Sequence, residues 1–302
     1  MATTHHFRIA GFYVRIVFQA SKFNGIHQLE NFKPFAIDEP TDEKPLFQLT
    51  VDDTIRPISK DQRRRIRDCD TGNGNTLVDK LDDGGYQFIM RDIEGYDCCL
   101  TICNKDFSNC RCALNGTDVM RRFGLNNALM LICSFAASKY QTLFIHASLV
   151  RHNGYGYAFI AQSGTGKSTQ VSQWLRHIPG CDLMNDDNPI IRIIDGEPWI
   201  FGTPWSGKTP CYRNVKARLG AVTRIDRAPA NSIDHLHGVE AFANMLPSCS
   251  GMKWDNEIYN NVCDTVTKIA EYDRIFTLHC LPDEEAAKVC FEEVTKIENQ
   301  QL

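Results

Sequence analysis

The chain has 302 residues, enough for one large domain or two ordinary ones around a substantial core. With 43% hydrophobic and 23% charged residues it reads as globular, and a formal charge of −4 argues against a chain built to coat nucleic acid. No stretch approaches the length of a membrane span, so no membrane partner is expected.

Residues 1–20 lack a basic segment followed by a continuous apolar run, so no signal peptide is expected and the cytoplasm is the default location. Thirteen cysteines is a high and odd count. Without a secretion signal they read as reduced thiols. The densest group, Cys98, Cys99, Cys103, Cys110 and Cys112, has no paired Cys-x-x-Cys knuckle of the kind zinc sites use.

In chain order, residues 7–18 are rich in aromatic and β-branched types and predict one or two strands. Residues 31–44, with two prolines and many charges, predict a loop, and 46–51 a short strand. Arg63, Arg64, Arg65 and Arg67 form a charge run that reads as a solvated face. Turn signals at 70–75 and 82–85 bracket further strands at 86–91 and 98–103. From 119 to 140 the apolar residues fall on a helical period. Residues 143–150 predict a strand, turned by Asn153-Gly154 into another at 157–160.

Later elements are a strand at 189–194, a strand at 219–225, a helix at 236–246 and a strand at 275–281. A last helix is N-capped by Asp283, with Ala287, Cys290, Phe291, Val294 and Ile297 on its buried stripe. The pattern predicts a mixed α/β chain (α+β, mixed sheets), with a β-rich N-terminal domain over 1–117 and a second domain over 118–302.

The chemistry concentrates at 157–169, Tyr-Ala-Phe-Ile-Ala-Gln-Ser-Gly-Thr-Gly-Lys-Ser-Thr. An apolar strand, a small-residue loop and a helix opening on Lys-Ser form the layout of a phosphate-binding P-loop. Backbone N–H groups of Gln162, Ser163, Gly164, Thr165 and Gly166, with the helix start at Lys167, Ser168 and Thr169, would surround phosphates with partial positive charge. Lys167 would reach the β- and γ-phosphates, and the Ser168 hydroxyl would ligate Mg²⁺. The strict pattern has glycine where Ala161 stands.

Asp186 and Asp187 lie 19 and 20 residues past Lys167, just before a strand, far enough for one helix and a return to the sheet beside the P-loop. Adjacent carboxylates near Mg²⁺ can divide the work, one on the metal and one taking a proton from an attacking hydroxyl. His146, on the strand before the hairpin, would approach the phosphates. The 202–214 loop holds two glycines, two prolines, Trp205, Lys208 and Arg213. It predicts an acceptor-side wall, with Lys208 and Arg213 as cations and Trp205 packed on the acceptor or the base. A rigid loop whose Trp fills an interface is the competing reading.

At these residues the chain resembles the HPr kinase/phosphorylases, which share a nucleotide-binding fold with phosphoenolpyruvate carboxykinases. The likeness spans 142–225 and rests on His146, on Ala-Gln-Ser-Gly-Thr-Gly-Lys-Ser fifteen residues later, and on Leu-Met-Asn-Asp-Asp at 183–187. The segments 202–214, 246–250 and 280–283 look more like a branch of HPr-kinase-related proteins associated with peptide modification. The resemblance implies a P-loop kinase domain of that fold over 118–302. It implies His146, Lys167 and Asp187 as catalytic residues, Asp187 as proton acceptor, and Ser168 with Asp186 around the metal. The acidic segment after the family's aspartates is replaced here by the 202–214 loop, so the likeness implies kinase chemistry rather than HPr as substrate.

The expected function is transfer of the γ-phosphoryl group of ATP, with Mg²⁺, to a hydroxyl: serine of a peptide, a protein or a small metabolite. An oligomer is compatible with this reading. Two alternatives stay open: carboxykinase-like chemistry on a small acid, and a catalytically silent nucleotide-binding module that docks a peptide or protein.

Overall fold

A computed structural model describes residues 1–38, 41–70 and 74–296. The protein is a mixed α/β chain with two mixed sheets, and it divides into compact units at Met1–Ala137 and Ser138–Leu302. Among the described residues no helix is long and apolar enough to cross a membrane.

The first unit carries strands β1 (Thr3–Ile9), β2 (Phe12–Phe18), β3 (Phe47–Val51), β4 (Arg63–Asp70), β5 (Asn75–Leu81), β6 (Tyr86–Arg91), β7 (Asp97–Cys103) and β8 (Asn109–Leu114), then helix α1 (Asp118–Ala137). The sheet order is β1-β2-β3-β8-β7-β6-β5-β4, with β3 parallel to both its neighbours. The helix expected from 119 packs on β7 and β6 through a stripe including Leu125, Leu129 and Ile132, so the division falls after Ala137 rather than at 117/118. Part of the loop expected from 31 is instead the end of a 3-10 helix, Ile26–Phe35, because Leu29, Phe32 and Phe35 anchor it in the core. The turn expected at 70–75 and Ile297 lie partly or wholly outside the described residues.

The arginine run is not a uniformly solvated face. Arg63 and Arg65 both reach the buried carboxylate of Asp79, Arg65 at 2.5 Å, and Gln87 donates to it at 2.9 Å. Burial pushes the Asp79 carboxyl up, but the two guanidinium groups outweigh it and hold it below its ordinary value.

The second unit carries β9 (Thr142–Phe144), β10 (Ala147–His152), β11 (Tyr155–Ile160), α2 (Lys167–His177), β12 (Asp182–Asp187), β13 (Ile190–Ile194), β14 (Glu197–Phe201), β15 (Lys216–Arg227), β16 (Ser232–Leu236), α3 (Gly238–Met245), α4 (Asn256–Glu271), β17 (Ile275–Cys280) and α5 (Glu284–Val294). The sheet runs β12-β10-β11-β15-β14-β13-β9, and β17 joins the far half of β15 and carries β16 on its outer side. Strand alternation sends Tyr157 and Phe159 to one face, against Trp174 of α2 and Cys290 of α5. Ala158 and Ile160 go to the other, with Met245 of α3 and Val262, Val266 and Ile269 of α4. Helices thus cover both faces of this sheet.

Asn153 and Gly154, both at positive φ, make the expected two-residue hairpin. Asp283 accepts from the Ala286 N–H at 2.9 Å, the expected cap of α5. Helix α4 was not foreseen, although Asp255 caps it and Ile258, Val262, Val266 and Ile269 give a helical period. Substituting Asp79 by Ala should cost about 2 kcal/mol in urea unfolding, less than the ~3–5 of a fully enclosed pair because Arg65 stays partly hydrated. Because its folded pKa is depressed, the stabilisation is complete above the unfolded value and is lost as pH falls through the folded one. Asp79→Asn should therefore flatten the acid limb of the stability–pH curve.

Candidate active site

Backbone register assembles the site. Ala147 of β10 pairs with Ile160 of β11 on one side and with Asp187 of β12 on the other. The P-loop therefore leaves its strand level with His146 and Asp187, on strands about 4.8 Å apart. His146 does not lie within a strand, as expected, but in the break between β9 and β10. Its N–H donates to the Ser248 carbonyl at 2.8 Å. Asp186 and Asp187 close strand β12 and precede β13, as expected, but β12 lies one strand removed from the P-loop strand, with β10 between them.

Residues 161–166 form the loop, and α2 begins at Lys167. Gly164 and Gly166 take φ of 79° and 138°, which a side chain would resist. The Lys167 ammonium donates to the Ala161 carbonyl at 3.0 Å. Gln162, Ser163, Ser168 and Thr169 are exposed, and Thr165 is half-buried.

The two aspartates occupy different surroundings. Asp186 is buried and takes the Ser148 hydroxyl at 2.7 Å and the Thr209 N–H at 3.1 Å, one on each oxygen. Asp187 is more open; its Oδ1 lies 3.3 Å from His146 Nε2, and Asn188 donates to its Oδ2 at 2.6 Å. Burial is the main cause that raises the Asp187 carboxyl above its ordinary value; Asp186 adds to it, while His146 and Lys167 oppose. Burial and then Lys167 push His146 down, against the pull of Asp187. Burial also lowers Lys167, with Asp187 and Asp186 opposing. Four of the predicted residues thus share one electrostatic neighbourhood.

The 202–214 loop runs back along the free edge of β12. Ser206 bridges to Asp187, and the Gly207 N–H donates to the Asp186 carbonyl. A Cβ at Gly207 would sit 2.8 Å from that carbonyl, so glycine is what lets the loop come this close. Lys208 lies between two residues that bond Asp186, is exposed, and has no side-chain partner among the described residues. Arg213 reaches the other end of the strand, pairing with Asp182 at 2.8 Å and donating to the Leu183 carbonyl. Five residues of strand, roughly 16 Å, separate that end from Asp187. Trp205 is buried, its ring 5.6 Å from Phe144, and its carbonyl takes the Asn185 amide at 3.0 Å.

Sequence reading missed Ser148 and Arg227. The first becomes visible only through the pairing of Ser148 with Asp186. The second comes from the length of β15, which pairs Arg224 with Ile160 and runs three residues further. Arg227 donates to the carbonyls of Thr165 at 3.0 Å and Gly164 at 2.6 Å. Beside it opens a cavity of about 370 Å³ between the P-loop and the ends of β15 and β17, lined by Thr169, Ile225, Arg227, Cys280 and Pro282 among others. The loop therefore has a carboxylate–imidazole group on its β10 side and a cavity of mixed polar and apolar lining on its β15 side.

All thirteen cysteines are free thiols, most of them buried. A comparison with protein-family models finds no match, and neither does a comparison with curated proteins.

In metal-free protein, an NMR titration should find His146 below its ordinary 6.5. Lys167→Met should move it up, by removing a positive charge. Asp187→Asn should move it further down, by removing a negative one. Equal titration in all three proteins would mean these groups do not share a site.

Proposed function

We propose that the protein is a phosphotransferase that moves the γ-phosphoryl group of ATP to a hydroxyl, serine of a peptide, protein or small metabolite. We propose also that the second unit has the nucleotide-binding fold of the HPr kinases and phosphoenolpyruvate carboxykinases. The observation that carries the reading is the double register of Ala147, which sets Asp187 and His146 level with the start of the P-loop.

In this reading the nucleoside end takes the cavity beside Arg227, whose volume is in the range of small-molecule sites. The triphosphate lies along the N–H groups of 162–169, with Lys167 on its β/γ end. Ser168 and the remaining lone pairs of Asp186 are hard oxygen donors that fit Mg²⁺, which keeps most of its own water and needs only one or two protein ligands. Bound there, Mg²⁺ would neutralise charge on the transferred group.

Asp187 accepts the proton of the attacking hydroxyl. Burial raises its carboxyl above the ordinary value, which suits a proton acceptor, and Asn188 and His146 lie one on each of its oxygens. Lys208 supplies positive charge on the acceptor side. Arg213 has no part in this, since its guanidinium holds Asp182 at the other end of β12.

Incubation with ATP, Mg²⁺ and candidate acceptors should release ADP only when an acceptor is present. Lys167→Ala should lose both binding and transfer. Asp187→Asn should keep nucleotide affinity and lower turnover about 10²–10⁴-fold. Lys208→Ala should reduce transfer with affinity kept, and Arg213→Ala should leave both unchanged. Binding without turnover would favour a silent module, and carbon dioxide exchange a carboxykinase.

A further inference from the structure

A second cluster of chemistry-bearing side chains lies at the opposite end of β17 from the nucleotide cavity. Strands β16 and β17 pair antiparallel, with Leu236 opposite Ile275. The register brings His237, just after β16, beside Asp273, just before β17. His237 Nδ1 is 2.5 Å from Asp273 Oδ1. His235 Nε2 is 3.4 Å from the same oxygen and 2.8 Å from the Asp273 carbonyl. One donor atom from each of the three side chains lies within 4.8 Å of the other two. His235 stacks on Phe276 with ring centroids 4.4 Å apart, which fixes the plane of its imidazole.

Two imidazole nitrogens and a carboxylate oxygen around one point form a donor set suited to borderline divalent ions and poorly suited to magnesium or calcium. Tetrahedral zinc, with bonds of about 2.0–2.2 Å, holds neighbouring donors about 3.3 Å apart. The His235–Asp273 spacing already matches this. His237 has only to withdraw by roughly 0.8 Å, and its side chain is exposed enough to do so.

We infer that His235, His237 and Asp273 bind a divalent transition-metal ion, zinc foremost, with water completing the coordination. The ion replaces the proton shared between His237 and Asp273 and also the Nε2–H that His235 gives to the Asp273 carbonyl; His235 then ligates through Nε2, its remaining proton moving to Nδ1. The site is separate from the P-loop: six residues of β17, about 17 Å of strand, lie between the two. Its ligands tie the turn entering α3 to the turn leaving α4. His237 occupies the cap position of α3 without making a capping hydrogen bond, so the ion would fix the start of that helix. The cysteine spacing pointed away from zinc, and the ligands come instead from His-x-His and a distant aspartate.

The test uses untagged protein stripped with chelator, titrated calorimetrically with Zn²⁺ and by visible absorption with Co²⁺. One equivalent should bind, the cobalt form should show d–d bands without a thiolate charge-transfer band, and millimolar Mg²⁺ should not compete. His237→Ala and Asp273→Asn should each weaken binding at least tenfold, and Asp187→Asn should not. His235→Ala can disturb the Phe276 stack, so His237→Ala, at an exposed position, is decisive, with its circular dichroism as the folding control. Unchanged affinity in His237→Ala, a thiolate band, or loss of binding in Asp187→Asn instead would overturn the assignment.

Discussion

The candidate site depends on a backbone constraint at one small residue. Ala147 pairs on both edges, and those two ladders decide which residues of two other strands stand beside it. A slip by one position on either side would turn every side chain of the neighbouring strand to the other face. Asp187 would then exchange surroundings with Asp186, and the P-loop would leave its strand at a different level from His146. The buried alternation of Ala147, Leu149, Ala158 and Ile160 against the α3–α4 layer resists that slip, so the apolar core holds the polar site in register.

The same alternation gives two adjacent aspartates different chemistry. Successive residues of a strand face opposite ways. Asp186 turns inward to Ser148 and the Thr209 amide, whereas Asp187 meets a histidine and an asparagine at the rim. Both carboxylates have a partner on each oxygen; what separates them is that Asp186 is enclosed, whereas Asp187 is open to an incoming group. The proposed division of labour needs no difference in residue type, only a difference in strand parity.

Much of this was legible in the chain. The strand–loop–helix layout at 157–169, the Asn153-Gly154 hairpin and the Asp283 cap follow from local patterns that carry their own geometry. The gathering of His146, Lys167, Asp186 and Asp187 was instead expected from the hairpin and the resemblance, and it rests on long-range pairing. The 202–214 loop was legible only in part. Its composition says that the cations need partners, but not which way it runs along β12. Because it follows the strand backward, Lys208 stays near Asp187 while Arg213 is carried to Asp182. Arg227 was invisible for a related reason: nothing local says how far β15 extends past the P-loop strand. His235 and His237 went unnoticed because their third partner comes from 36 residues later, across a helix that was itself not foreseen.

The break in the sheet at His146 has a consequence for how the protein comes into being during synthesis. Residues 248–250 complete the gap from outside: Ser248 takes the His146 amide, Cys249 bridges Ile145, and Ser250 donates to Phe144. A nascent chain that has emerged as far as β15 already contains the P-loop, both aspartates and the histidine. It still lacks the segment that holds His146 in line, the α4 cover over Ile160, and the β17 edge that supports β15. The centre is encoded ahead of the segments that frame it, so a product ending at β15 would carry its residues without these supports.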